Sequence, residues 1–216
     1  MHRLTRSLLI VLPASLLLTS CSDDGNTDDP LQLTASCAST LAGSGARVYA
    51  DCGTSSGAMT SVVIYAANVS DEVDAYNIVV NFSPSVFRYM GFAPSETLFE
   101  PTACTGGSTL CLDNHSTNAN TSGQVVYGVT RIGTNPTGVV PGTGPTPLGR
   151  LMFEAVSDSQ SAIAFQGSAT AGCVGDSTTG NALMTVASSN GSSCLVTIIP
   201  GISFGTGSVT LSAALY

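Results

Sequence analysis

Tryptophan and lysine are absent from these 216 residues, histidine occurs twice, and only 9% of the chain is charged. Each shortage excludes something. Without lysine the cations are six arginines, and Arg3 and Arg6 sit at the extreme N-terminus. Beyond residue 20, four arginines face fourteen Asp and Glu, a formal charge of −10. Such a surface cannot neutralise a run of phosphates, so nucleic acid is no partner. Past residue 2 the one histidine is His115, within Asp113-Asn114-His115-Ser116. A working triad is assembled from distant segments rather than from neighbours in a polar loop, so no catalytic residue is assigned. No stretch sustains apolar residues at i, i+3, i+4 and i+7 over three turns, which excludes long amphipathic helices. The longest apolar run is too short to span a bilayer.

That run, Leu8 to Leu18, follows Arg3 and Arg6 and has the form of an export signal. It ends in LTSC, residues 18 to 21, which resembles the lipobox of bacterial lipoproteins. The resemblance implies cleavage after residue 20, diacylation of Cys21 (palmitate-type chains) and a place in the cell envelope. Ser22, where aspartate would imply inner-membrane retention, points to the outer membrane, facing periplasm or cell surface. Each buried methylene of a lipid chain contributes about 0.8 kcal/mol, so several chains hold a domain at a membrane. Residues 21–34 then read as an acidic tether. SDDGNTDDP has no apolar side chain with which to collapse, and Ser22 to Gln32 reaches about 35 Å when extended.

Seven cysteines less Cys21 leave an even six: Cys37, Cys52, Cys104, Cys111, Cys173 and Cys194. There is no Cys-x-x-Cys and too little histidine for a zinc site, so an oxidising compartment and disulfides are expected. Six cysteines allow fifteen connectivities. Nearest-neighbour pairing, Cys37–Cys52, Cys104–Cys111 and Cys173–Cys194, is the simplest of them. Each such loop is worth roughly 2–4 kcal/mol.

From residue 35 to 216 the chain is short alternating runs cut by 23 glycines and 10 prolines, counted over the whole chain. Ten strands are expected: Arg47–Asp51, Ser61–Asn68, Ala75–Phe82, Phe87–Phe92, Gln124–Arg131, Leu148–Ala155, Ala162–Gly167, Leu183–Val186, Leu195–Ile199 and Ser208–Leu215. In AYNIVVNFSPSVF, Tyr76, Ile78, Val80 and Phe82 share one face, and Asn77, Val79 and Asn81 the other. Two inserts, Pro101 to Gly123 and the Gly/Pro-rich Ile132 to Pro147, read as loops, functional or decorative. The fold expected is an all-β sandwich.

The order of these strands resembles the cohesin domain. There, one strand ends in Tyr-Asp-Pro-x-Val-Leu and a later one reads Gly-x-Leu-x-x-Leu-x-Phe-x-Ala. Here Phe82, Ser83, Pro84, Val86 and Phe87 stand at the first motif, with Phe for Tyr and Ser for Asp. Leu148, Leu151, Phe153 and Ala155 match much of the second. The resemblance runs from about Val48 to Leu215 and implies a nine-stranded, jelly-roll-like sandwich, an architecture that carbohydrate-binding modules share. It also implies a protein-binding module whose usual partner is a dockerin. Six cysteines and a lipid anchor depart from the usual cellulosome setting.

The expectation is a non-catalytic, membrane-anchored extracytoplasmic module that attaches to a protein partner, dockerin-type by analogy. The alternative is a carbohydrate-binding module for a polysaccharide, for which Tyr49, Tyr127 and Tyr216 are the aromatics to inspect. A glycoside or other hydrolase stands last: Glu96, Glu100, Glu154 and Asp158 offer carboxylates, but nothing singles out a pair. No cofactor is required. Calcium is a candidate at Asp71 and Asp74, with Glu72 between them, against plain solvated turn charge. Gly142-Thr143-Gly144 runs into Pro145 rather than a helix, so it cradles no phosphate.

Overall fold

The computed structural model describes residues 32–93, 98–99, 109–113, 116–131, 138–169, 180–186 and 196–216. The chain divides into Met1–Pro30, which lies outside those residues, and Leu31–Tyr216. The second unit contains β1 (Leu33–Thr40), β2 (Arg47–Ser56), β3 (Met59–Ala67), β4 (Ala75–Asn81), β5 (Phe87–Ala93) and β6 (Thr109–Asp113). One helical element among the described residues, α1 (Ser116–Ser122), precedes β7 (Gln124–Arg131), β8 (Thr146–Ala155), β9 (Gln160–Phe165) and β10 (Ala182–Val186). Then come β11 (Val196–Ile198), β12 (Ser203–Phe204) and β13 (Ser208–Leu215).

Two sheets face each other. One has eight strands, in the order β1-β13-β9-β4-β10-β11 with β7 paired to β4 and β6 to β7. The other has five, ordered β12-β2-β3-β8-β5. This is the expected all-β sandwich, with thirteen described strands where the resemblance implied nine. The surplus is mostly short: β6, β11 and β12 add five, three and two residues at sheet margins.

Every core position of both quoted motifs is buried, Phe82, Val86 and Phe87 from the first, and Leu148, Leu151, Phe153 and Ala155 from the second. Phe82 meets Phe153 edge-on at 5.3 Å, and Phe153 meets Tyr89 at 5.7 Å, so one aromatic chain joins the two sheets. Offset and edge contacts of this kind add about 0.5–1.5 kcal/mol beyond area burial. The Tyr76 hydroxyl crosses the same gap to donate to the Leu148 carbonyl at 2.6 Å. The Cys37–Cys52 disulfide forms as expected and ties β1 in one sheet to β2 in the other. Cys111 is disulfide-bonded too. Cys104, Cys173 and Cys194 lie outside the described residues.

β4 sits at the centre of the larger sheet. On one side it pairs along its whole length with β7. On the other, β10 takes its first half through Ala75–Asn77 and β9 its end through Val80 and Asn81. At the changeover Val79 has no strand partner for its N–H. The Asn181 carboxamide fills that role, accepting from Val79 N at 2.7 Å while its Nδ2 donates to the Gln166 carbonyl. Asn181 is fully buried.

The β4 ladder closes with Phe82 N donating to the Gly123 carbonyl at 2.8 Å, and at Pro84 a turn in which Ser83 O accepts from Val86 and Phe87 N returns the chain to the core. Gly123 packs beneath it with φ +71°, and a Cβ there would lie 2.9 Å from the Phe82 carbonyl oxygen, so only glycine fits.

Four elements depart from expectation, the shortest being β12, which pairs in parallel with β2. β1 begins inside the stretch read as tether, because eight rungs with β13 order a polar run that has little apolar alternation. Part of the 101–123 insert is regular rather than loop. Leu110, Cys111 and Leu112 lie in β6, and the STNANTS tract forms α1. This helix is held by its surroundings: Ala119 is fully buried, and Asn120 accepts from Tyr89 N at 2.6 Å and donates to Tyr89 O at 2.9 Å. Asn120 thereby pairs one residue of the β5 edge as a strand would.

Asn181→Ala leaves the buried Val79 N–H unpaired and is expected to cost about 1–3 kcal/mol in urea unfolding. Asn77→Ala, which loses one bond from a partly exposed side chain to Gly180 O, should cost distinctly less. Equal losses would refute this reading of the changeover.

Candidate functional site

Alternation on β4, β7 and β6 sends every second side chain outwards. Ile78, Val80, Val125, Tyr127 and Val129 enter the core. Their neighbours, Asn77 and Asn81 on β4, Gln124, Val126 and Thr130 on β7, and Leu110 and Leu112 on β6, form the outer face. Leu110 is 45% exposed and Leu112 62%. They lie opposite Thr130 and Gly128 of β7, with Asn77 one strand further in. About 13 Å along β7 the amides are preset, Gln124 Nε2 donating to Asn81 Oδ1 at 3.1 Å and to Gln166 Oε1 at 2.7 Å. No ionisable side chain belongs to this set. The face therefore offers two adjacent leucines at a sheet margin and a row of oriented, uncharged donors and acceptors, an arrangement suited to docking rather than to proton or electron transfer.

The residues singled out beforehand are scattered. Tyr127 is wholly buried, stacked on Phe92 at 5.4 Å, because the β7 register turns it inwards. Tyr49 is covered, stacked on Tyr65 at 5.6 Å with the Arg47 guanidinium over its ring. Tyr216 alone of the three is exposed, at 92%. No coplanar, open pair exists among them.

Asp71 is exposed and Asp74 is buried. Asp74 Oδ2 accepts from Thr185 Oγ1 at 3.1 Å, and Glu72 Oε1 accepts from Gly138 N at 2.5 Å. These carboxylates tie the β3–β4 turn to β10 and to the segment after residue 137. Among the described residues no three His, Cys, Asp or Glu are grouped as a metal site. Glu154 pairs with Arg88 at 3.3 Å, while Glu96, Glu100 and His115 lie outside the described residues.

No family model matches the chain, and no curated protein does. The solved structures that it resembles are cohesin modules. A type II cohesin domain from the cellulosome of Acetivibrio cellulolyticus is 12% identical, and the match covers 77% of this chain and 95% of that one at a TM-score of 0.49. The seventh ScaB type I cohesin from Pseudobacteroides cellulosolvens is 9% identical over 75% of this chain and 90% of its own, at 0.48. The sixth cohesin of Acetivibrio cellulolyticus scaffoldin B, solved in complex with a dockerin, is 12% identical over 75% and 99%, at 0.44.

The sequence reading missed Leu110 and Leu112. Their signal was present, since Thr-Leu-Cys-Leu-Asp alternates with period two, but the surrounding polar tract masked it.

Burial, with the Asp113 carboxylate 3.3 Å away, raises the Tyr89 hydroxyl far above its ordinary range, and burial does the same to Tyr127. Folding thus holds both protonated where an unfolded tyrosine ionises. Their contribution is complete below about pH 10 and is lost as the pH climbs further. In a 295 nm titration both should ionise only together with alkaline unfolding. Early, independent ionisation would refute their burial. The Tyr127 hydroxyl has no hydrogen-bond partner among the described residues, so Tyr127→Phe should raise stability by about 1 kcal/mol.

Proposed function

We propose that this protein is a non-catalytic binding module, anchored through lipidated Cys21 in the bacterial envelope, that attaches to another protein through the outer face of β6, β7 and β4. The observation that carries this reading is the pair of exposed leucines at the β6 margin of an uncharged sheet face whose carboxamides are preset further along β7 and β4. The LTSC tetrapeptide and the acidic run after it support the anchor and the tether. A dockerin-type module is the first partner to try, because the scaffoldin B relative was solved bound to one.

Globomycin-sensitive labelling with palmitate should be lost in Cys21→Ser, and the protein should move from membrane to soluble fraction. With the soluble form as bait, a calcium-loaded dockerin panel and a glycan array are run in parallel. A protein ligand is expected whose binding falls at least tenfold, about 1.4 kcal/mol, in the Leu110→Thr/Leu112→Thr double variant. Binding to glycans alone would replace this reading with the polysaccharide one. Protein binding indifferent to both leucines would refute the face.

A further inference from the structure

The opposite surface has a different chemistry. Along the five-stranded sheet, Leu151, Phe153, Phe87 and Tyr89 point inwards, which leaves Arg88, Arg150, Met152 and Glu154 pointing out. Gly91 pairs with Met152, and Met59 pairs with Glu154 two residues further on. Met90, at a bulge beside Gly91, Met152 and Met59 therefore form one contiguous diagonal across β5, β8 and β3. They are 44%, 36% and 36% exposed.

This placement runs against composition. Beyond residue 20 the chain has four methionines and four arginines. Three of each, Met59, Met90 and Met152 with Arg47, Arg88 and Arg150, lie on this one sheet face. Methionine and arginine are the side chains that protein interfaces enrich. Methionine is soft and fits varied apolar partners, while arginine combines charge with an extended apolar stem. An exposed strand face with no partner would ordinarily carry threonine and serine instead.

Charge selects the partner. The two carboxylates on this face are already engaged, Glu154 by Arg88 and Asp51 by Ser39 Oγ and the Cys52 N–H. Arg88 still exposes 58% of its side chain. Three arginines against two carboxylates leave this face at a formal +1, while the rest of the chain beyond residue 20 stands at −11, so a negatively charged segment is attracted here and a positive one repelled. Size narrows the choice further. Tyr49, Ser61 and Val63, which also face outwards from β2 and β3, are buried. The open part is therefore the corner where β5, β8 and the start of β3 meet. Three strands at about 4.8 Å and about six residues at about 3.3 Å make it roughly 15 by 20 Å. That is below the roughly 800 Å² per partner of a standard stable interface. A segment fits it better than a whole domain.

We propose that the outer face where β5, β8 and the start of β3 meet is a second docking surface, for an acidic polypeptide segment carrying apolar side chains. It is independent of the leucine face and stands or falls separately.

The test uses the full soluble chain carrying Cys21→Ser and two labelled twelve-residue peptides, one alternating leucine with aspartate and glutamate, the other alternating leucine with lysine. Fluorescence anisotropy should show the acidic peptide binding and the lysine peptide not. Raising salt from 50 to 300 mM should weaken the acidic complex several-fold. Met90→Thr/Met152→Thr and Arg88→Gln should each weaken it at least fivefold, with circular dichroism unchanged, and Leu110→Thr/Leu112→Thr should leave it intact. Equal binding of both peptides, no binding of the acidic one, indifference to the methionine and arginine substitutions, or sedimentation showing the face occupied by a second copy of this chain would each overturn the proposal.

Discussion

A single backbone N–H governs much of this architecture. Val79 lies in the central strand of the larger sheet, and the strand beside it changes identity where Val79 needs an acceptor. A buried, unpaired N–H costs about 1–3 kcal/mol, a large share of the 5–15 kcal/mol by which a domain is stable. The Asn181 carboxamide removes that cost by imitating a strand, accepting from Val79 and donating to Gln166. Two strands from distant parts of the chain can therefore share one side of β4. Because β4 holds β7 on its other side, and β7 holds β6, the whole outer face with Leu110 and Leu112 hangs from this arrangement.

The two sheets bury similar interiors and present unlike exteriors. Inside, aromatic and aliphatic side chains from both walls interlock through Phe82, Phe153 and Tyr89, and the Cys37–Cys52 bridge joins the sheets at β1 and β2. Outside, one sheet shows leucine and carboxamide, the other methionine and arginine. In a sandwich the inner face is dictated by packing, whereas the outer face is free to vary once the strand backbones are paired. Chemistry concentrated there, against the general composition of the chain, is where binding is to be sought.

Much of the interior was legible beforehand. The alternation of Tyr76, Ile78, Val80 and Phe82, and of Leu151 with Phe153, put the right side chains inwards, since a half-buried strand must alternate. β7 and β13 have the bounds that alternation assigned them. What escaped were elements whose order comes from their neighbours. β1 is mostly small and polar and becomes a strand because β13 pairs with it along its length. α1, made of Ser, Thr, Asn and Ala, has no amphipathic stripe. It is ordered by the burial of Ala119 and by Asn120 bonding both backbone groups of Tyr89. Tyr127 was a candidate for an open sugar platform until the β7 register turned it into the core.

The amino-acid sequence alone determined the class of fold, most residues of its two inner walls and the acidic balance of the chain. These follow from local periodicity, spacing and composition, which are written along the chain. Tertiary structure decided the rest: which cysteines pair, as in Cys37–Cys52, the sharing of β4 by β9 and β10, the position of Asn181 between them, and the placing of Leu110 and Leu112 opposite Thr130 and Gly128. It also brought Met59, Met90 and Met152 into one diagonal. Those neighbours are set by the register between strands far apart in sequence, and register emerges only when both sheets close over a common core.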